Sequence, residues 1–311
     1  MGEEVTVSVG VVGAGAMGTL LGVHLSRSEC DVAFLVKTSL DADRLKRRGV
    51  RLKGKTPWRA RAEGRTRSEL GGARDFVFLM VKSQDTLSGL KDCYGWVGPK
   101  TWVVSLQNGL SHLEVLREEV GGQHAVVGTT TCGATRLDVG EAQLAGLGET
   151  VVGGLTGPAQ EGARQVAALL EKAGLSCVVS DSIEQDLWRK LLVNACINPV
   201  GAVLGLRNGR LAEGKDTRDL IRTLVKEAAP VAKRETGLKM TDRGLYRRVL
   251  SVCRRTADNR CSMLQDLERG RKTEVDSITG EMVRAGKRHG LSLPTHEAML
   301  QLVRALERRE T

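Results

Sequence analysis

Apolar and polar positions follow two textures along this chain. In the first, short β-branched runs bounded by turn residues fall at 5–12, 31–37 (DVAFLVK), 75–81 (DFVFLMV), 101–106 (TWVVSL) and 125–131. Each has the length of a strand, and segments of helical composition lie between them, notably 16–27 and the Lys/Arg-rich stretch after residue 37. Continuous apolar runs, as opposed to alternating ones, predict strands buried on both faces, hence a parallel sheet covered by helices. The glycine-rich stretch at 140–154 (GEAQLAGLGETVVGG) reads as a pair of antiparallel strands joined by glycine turns. Residues 160–172 predict a helix and 175–179 one more strand.

After about Ser180 the texture changes. Helical periodicity takes over at 184–204, 216–236, 243–255 and 274–289, and Pro294 separates the last of these from 295–308. The expected organisation is an α/β domain over 1–180 and an all-α domain over 181–311, joined without a Pro- or Gly-rich linker. A length of 311 residues suits two domains, and 41% hydrophobic with 27% charged residues suits a chain with a sizeable core.

The net charge of +10, from 47 Lys and Arg against 37 Asp and Glu, calls for an anionic partner. Nucleic acid is not the expected one. Aromatics make up only 3% of the chain, leaving few platforms for base stacking, no recognised nucleic-acid motif is present, and the basic clusters are scattered at 44–51 and 243–260. Seven cysteines without a CxxC pair argue against a disulfide framework and for reduced thiols in the cytoplasm, mostly as small buried hydrophobes. Five histidines without an HExxH or another ligand spacing predict no metal. Residues 5–26 carry no charge, yet Glu3 and Glu4 precede them and Gly10, Gly13, Gly15, Gly18 and Gly22 interrupt them, so the run predicts strand, turn and helix, with no membrane segment. The start MGEEVT fits a loose myristoylation pattern at Gly2, but Thr6 falls at the edge of the expected core strand, which disfavours lipidation.

The turn itself is Gly13-Ala14-Gly15-Ala16-Met17-Gly18, a GxGxxG placed between a strand and a helix, with a second strand about ten residues further on. In that setting Gly13 permits the tight turn, Gly15 lets a pyrophosphate approach the backbone, and Gly18 allows close helix–strand packing, while the helix N-terminus offers free N–H groups. This predicts a Rossmann-type doubly wound sheet that binds a dinucleotide. NAD sites usually end the second strand with a carboxylate on the ribose 2′-OH; here the residue is Lys37, followed by Thr38 and Ser39. An ammonium attracts a 2′-phosphate that a carboxylate repels, so NADP(H) is the expected cofactor.

In the helical half, Trp188-Arg-Lys-Leu-Leu-Val-Asn-Ala-Cys-Ile-Asn-Pro199 holds three polar residues on an apolar helix. At about 100° per residue, Lys190, Asn194 and Asn198 advance by only about 40° at each step and form one narrow stripe. Leu191, Leu192, Val193, Ala195, Cys196 and Ile197 cover the other faces. Burying an ammonium and two amides is costly without partners, so the stripe lines either a ligand site or a satisfied polar network.

With these segments in view, the chain closely resembles the ketopantoate reductase (2-dehydropantoate 2-reductase) family. Four motifs carry the resemblance: GAGAMG at 13–18, QNG at 107–109, WRKLLVNACINP at 188–199 and NRCSMLQD at 259–266, and it extends to the TEVD at 273–276. It implies a Rossmann domain followed by a helical domain like the C-terminal part of 6-phosphogluconate dehydrogenase. The implied reaction is NADPH-dependent reduction of 2-dehydropantoate to (R)-pantoate, a step of pantothenate and coenzyme A synthesis, in a cytoplasmic enzyme; a homodimer is an expectation from the resemblance alone. By position, Lys190 matches the proton donor, and Asn194, Asn198, Asn208 and Ser262 match substrate-binding residues. Asn108 matches a residue near both nicotinamide and substrate, Lys82 and Ala134 match cofactor contacts, and Glu274 matches a carboxylate that closes over the cofactor and supports catalysis. Three departures stand out: Lys37 where the family often has Arg, Cys261 where many relatives have Ser, and Ser111 where another Gly is common.

The residue types suit that chemistry. As hydride reaches a ketone carbon, charge grows on its oxygen, and a nearby ammonium stabilises and then protonates it. Asparagines hold a carboxylate and hydroxyls without adding like charge, and no metal is required. Two rival readings remain in play: a related NADPH-dependent reductase of another 2-oxo acid or lactone, and a protein that senses NADPH without turnover. A sensor has no use for a proton donor.

Overall fold

The computed structural model describes residues 6–308. Gly2, Glu3, Glu4 and the first residue of the expected strand at 5–12 lie outside them. The chain divides into two compact units, residues 1–107 with 112–183, and Asn108–Ser111 with Glu184–Thr311.

The first unit runs β1 (Ser8–Val12), α1 (Ala16–Arg27), β2 (Asp31–Leu35), α2 (Ser39–Arg48), β3 (Val50–Lys53), β4 (Trp58–Ala60), β5 (Glu63–Arg65), β6 (Phe76–Leu79), α3 (Thr86–Asp92), β7 (Trp102–Ser105), α4 (Ser111–Leu116), β8 (Ala125–Thr130), β9 (Gly133–Asp138), β10 (Glu141–Gly146), β11 (Thr150–Gly154), α5 (Gln160–Lys172) and β12 (Cys177–Val179). Eight strands form one sheet in the order β12-β11-β8-β7-β6-β1-β2-β5. All neighbours are parallel except β8 and β11. Reading outward from β1, the chain goes to β2 and β5 on one side and to β6, β7 and β8 on the other, which is the doubly wound arrangement with its switch point between β1 and β6. A smaller sheet, β4-β3-β10-β9, accompanies it.

That second sheet explains why residues 16–26 lack charge. Helix α1 is covered on one side by the main sheet, where Gly22 lies so close to Phe34 that a Cβ there would fall 2.1 Å from the ring. On its other side lies the smaller sheet: the buried His24 ring meets Trp58 of β4 with centroids 4.6 Å apart. A helix clad on both sides has no solvent face to mark with polar residues. Burial, the leading cause, lowers the His24 pKa, and Arg27 adds to this against the opposing pull of the Ala173 carbonyl, which lies 2.9 Å from Nδ1.

The expected strand pair within 140–154 is corrected by the structure. Strand β10 pairs with β9 and β3, whereas β11 pairs with β8 and β12, so the two belong to different sheets. Residues 125–138 and 141–154 are in fact the two arms of one long hairpin whose tip is Gly140, at φ +67°. The glycines at 146 and 148 mark where its arms bend together from one sheet into the other. At that bend the Gly148 N–H donates to Cys132 Sγ, the Cys132 thiol donates to the Gly148 carbonyl, and a Cβ on Gly148 would come 2.3 Å from Thr131 Oγ1.

Apart from the Asn108–Ser111 segment, the regular elements of the second unit among the described residues are all helices: α6 (Ile183–Leu204), α7 (Asn208–Glu213), α8 (Lys215–Thr236), α9 (Asp242–Arg255), α10 (Ser262–Leu267), α11 (Val275–Arg288) and α12 (Pro294–Glu307). Left-handed Gly237 ends α8. The start of α12 is held by Glu227 of α8, whose carboxylate accepts the N–H groups of Thr295 and His296 at 3.0 and 3.1 Å and pairs with the buried His296 ring at 3.0 Å. Burial works to raise the Glu227 pKa, but these hydrogen bonds bring it down to about 2.

A depressed carboxylate stabilises the fold above its unfolded pKa, and that contribution fades as pH falls towards the folded value. The stability of the protein is therefore expected to decline between about pH 4.5 and pH 2 in part through Glu227. Glu227→Gln should flatten that acid limb in urea titrations across the window; an unchanged pH profile would count against this cap.

Candidate functional site

In the first unit, the residues matched to a cofactor gather at the carboxyl ends of the parallel strands. The turn Gly13–Gly18 follows β1, Lys37 follows β2 and Lys82 follows β6, while Ala134 is the second residue of β9, beyond the bend that follows β8. Carboxyl ends beside a switch point are where ligands bind in open α/β sheets. The three glycines differ in their surroundings. Gly13 has φ +102° with Met80 close behind it, and a Cβ on Gly18 would meet the Gly13 carbonyl at 2.1 Å. A Cβ on Gly15 would meet nothing within 4 Å, so open space lies beside the backbone at that residue. No side chain caps α1 and no acidic residue stands in its first turn, which leaves its leading N–H groups for an anion. Lys37 is exposed, two residues past β2 and next to Thr38, whose hydroxyl caps α2 by accepting from the Asp41 N–H at 3.1 Å. The residues present fit a dinucleotide phosphate.

At the end of β7 the QNG triplet divides between the two units. Gln107 is buried in the first, its Oε1 accepting from Ser105 (2.8 Å) and Thr86 (3.2 Å) and its Nε2 donating to the Val81 carbonyl (2.8 Å). Asn108 counts with the second unit, where its Nδ2 donates to Glu274 Oε2 at 3.1 Å. Gly109 has φ +81°, and a Cβ there would lie 2.4 Å from the Ser277 carbonyl oxygen. Ser111, the departure from a common glycine, donates to Ser277 Oγ at 3.3 Å.

The polar stripe takes the expected form. Lys190, Asn194 and Asn198 stand at successive turns of α6; Lys190 and Asn194 are half-buried and Asn198 is 6% exposed. Lys190 has a polar partner within the protein. Neither Asn194 nor Asn198 engages its carboxamide in a hydrogen bond with any described residue. Pro199, inside α6, cannot donate to the Ala195 carbonyl, so the stripe ends where the helix ladder is interrupted. Asn208 is buried at the start of α7, its Nδ2 donating to Thr256 at 2.8 Å while its Oδ1 is without a partner. Ser262 is exposed at the start of α10. Glu274 joins Asn108 as described, so one direct contact links two of the predicted residues.

Cys261 acquires a role that sequence alone did not indicate. Its Sγ caps α10 by accepting from the Leu264 N–H, and it donates to the Asn198 carbonyl, each at 3.4 Å. The sulfur thereby ties the α10 start, with Ser262, to the Asn198 turn of α6. The only signal was the odd residue in a place usually held by Ser. Burial pushes this thiol up to about 11, and Cys93, Cys177 and Cys253 are raised by burial too.

Among the described residues no helix is long and apolar enough to cross a membrane, and no group of His, Cys, Asp or Glu is arranged to hold a metal.

A doubly wound nucleotide-type sheet followed by a helical unit with an ammonium–carboxamide stripe defines an oxidoreductase class. The chain belongs to the ketopantoate reductase family: residues 9–157 match the family model "Ketopantoate reductase PanE/ApbA" and residues 182–307 its "C terminal" counterpart. It is 33% identical to the 2-dehydropantoate 2-reductase of Halobacterium salinarum over 300 residues, covering 96% of this chain and 98% of the relative. It is likewise 33% identical to that of Archaeoglobus fulgidus over 299 residues, covering 96% and 97%. Among solved structures, the ternary structure of D-mandelate dehydrogenase with NADH and anilino(oxo)acetate superposes with a TM-score of 0.89 at 25% identity, covering 97% of this chain and 99% of that one.

A protonated, buried thiol is a poor nucleophile. Iodoacetamide at pH 7 should leave Cys261 unmodified in the folded protein and label it after unfolding, as read by peptide mass spectrometry; rapid labelling of the native chain would contradict the capping role.

Proposed function

We propose that this protein reduces 2-dehydropantoate to (R)-pantoate with NADPH, in the synthesis of pantothenate and coenzyme A. Residues 1–180 serve as the cofactor-binding domain and 181–311 as the substrate-binding and catalytic domain. The observation that carries the reading is the pair of unpaired carboxamides, Asn194 and Asn198, on the same face of α6 as Lys190. A satisfied internal network would have used them; a small polar acid would complete them.

In this reading the glycine turn Gly13–Gly18 receives the pyrophosphate, Lys37 the 2′-phosphate, and Lys82, Ala134 and Asn108 further parts of the dinucleotide. Bound NADPH supplies the hydride. Asn194, Asn198, Asn208 and Ser262 orient the substrate carboxylate and hydroxyl. Lys190 neutralises the charge that builds on the ketone oxygen and gives up one proton from Nζ, so that the carbonyl becomes a secondary alcohol. Glu274 holds Asn108 in place through the 3.1 Å hydrogen bond and closes over the cofactor.

A second reading has a specific support of its own. The likeness to D-mandelate dehydrogenase with NADH and anilino(oxo)acetate favours a family member working on another 2-oxo acid. One assay separates the two: purified protein with NADPH or NADH against ketopantoate, the 2-oxo counterpart of mandelate and a panel of further 2-oxo acids. Ketopantoate with NADPH is expected to give the highest kcat/KM. Lys190→Ala should lower kcat by about 10²–10⁴-fold with little change in cofactor binding. Lys37→Ala should weaken NADPH roughly tenfold and leave NADH unchanged, the equivalent of about 1.4 kcal/mol. NADPH binding without turnover of any 2-oxo acid would overturn the enzymatic reading, and a preference for NADH would overturn the role of Lys37.

A further inference from the structure

Glu274 begins α11 as its N-cap residue, yet its side chain does not cap that helix. The carboxylate is turned to Asn108, and the capping is done one residue earlier. The hydroxyl of Thr273, a residue 2% exposed, accepts from the Val275 N–H at 3.1 Å and donates to Glu307 Oε1 at 2.6 Å. The Thr273 N–H donates to the same Glu307 oxygen at 2.7 Å. Glu307 is the last residue of α12, and one turn earlier Arg304 donates through Nε to Asp276 Oδ1 at 2.9 Å. The residues on either side of Glu274 are thus gripped by the last turn of α12. On the other side of the same turn, Ser277 is packed against Gly109 and hydrogen-bonded to Ser111.

From this arrangement we infer that Glu307, assisted by Arg304, is a positioning residue for the Glu274–Asn108 pair, acting through Thr273 and the first turn of α11. A carboxylate suits the task because one oxygen takes both a backbone N–H and a hydroxyl, fixing the peptide and side chain of Thr273 together. With Thr273 fixed, the φ and ψ of Glu274 are set from its N-terminal side, and α11 sets them from the other. The Glu274 carboxylate then meets Asn108 without first losing backbone freedom on binding, which is preorganisation supplied by the end of α12 through Thr273.

The inference rests on the proposed role of Glu274 in holding the cofactor, and cofactor binding is its readout. The Kd for NADPH is measured by fluorescence titration of the full chain for wild type, Glu307→Ala, Glu274→Ala and the double variant. Glu307→Ala should raise the Kd by about three- to tenfold, and Glu274→Ala by at least as much. If Glu307 works through Glu274, the double variant binds no worse than Glu274→Ala alone. A double variant in which the two losses multiply would overturn the inference, because general loosening of the fold does not depend on Glu274. Glu307→Gln keeps an oxygen that accepts from both Thr273 donors and should restore binding; failure to restore it would also count against the proposal. Should Glu307→Ala not fold, Thr273→Val removes the hydroxyl at nearly constant shape, and the same cycle is run with it. A wild-type chain that binds NADPH yet reduces no 2-oxo acid defeats the enzymatic reading while leaving this coupling measurable.

Discussion

The first unit depends on how closely α1 approaches the sheet. Gly18 sits where any side chain would strike the Gly13 carbonyl, and Gly22 where it would strike Phe34. Together they let the helix axis come near enough for its N-terminus to face the end of β1. A methyl group at either position would force the helix outward, and overpacking of that kind typically costs about 1–3 kcal/mol. The cost would fall on the geometry of the turn as well as on stability, since Gly13, Gly15 and the uncapped amides share that short segment. The smaller sheet on the far side of α1 removes the alternative of tilting away.

In the second unit the governing constraint is polar satisfaction. An unpaired buried donor or acceptor costs about 1–3 kcal/mol, and Asn194 and Asn198, without protein partners, avoid that cost by keeping their carboxamides accessible while Leu191, Leu192 and Ile197 fill the neighbouring faces. The fold therefore keeps one polar stripe of α6 open to water or to a ligand. On the same turn Cys261 engages the backbone carbonyl of Asn198, with sulfur doing what a hydroxyl would do elsewhere. The thiol is larger than a hydroxyl and a weaker donor, and it packs near Gly201, where a Cβ would stand in ordinary contact with the sulfur at 3.4 Å.

Much of the fold was legible because local signals and tertiary roles coincide. Residues 16–27 and 160–172 form helices with the expected limits, and the five early apolar runs all become strands of the main sheet. Strands β3, β4, β5 and β9 were not legible: they carry polar residues among few apolar ones, and β3 and β5 depend on pairing with β10 and β2, distant in the chain. The glycines at 146 and 148 carried a true signal of chain bending but not its sense, since a turn reverses a strand and a bend carries two strands onward together. For the candidate site, the spacing of Lys190, Asn194 and Asn198 placed them on one face, as any helix would. The grip of Glu307 on Thr273 spans 34 residues and leaves no mark in either local sequence.

The long hairpin has a consequence for how this unit holds together. Because its two arms supply β8 and β11 to one sheet and β9 and β10 to the other, the small sheet is not an appendage that could open by itself. Unzipping it from the Gly140 tip runs straight into the hydrogen-bonded bend at Cys132 and Gly148 and from there into the β8–β11 pair of the main sheet. The two sheets thus share one cooperative unit, and α1, clasped between them, is released only when both give way.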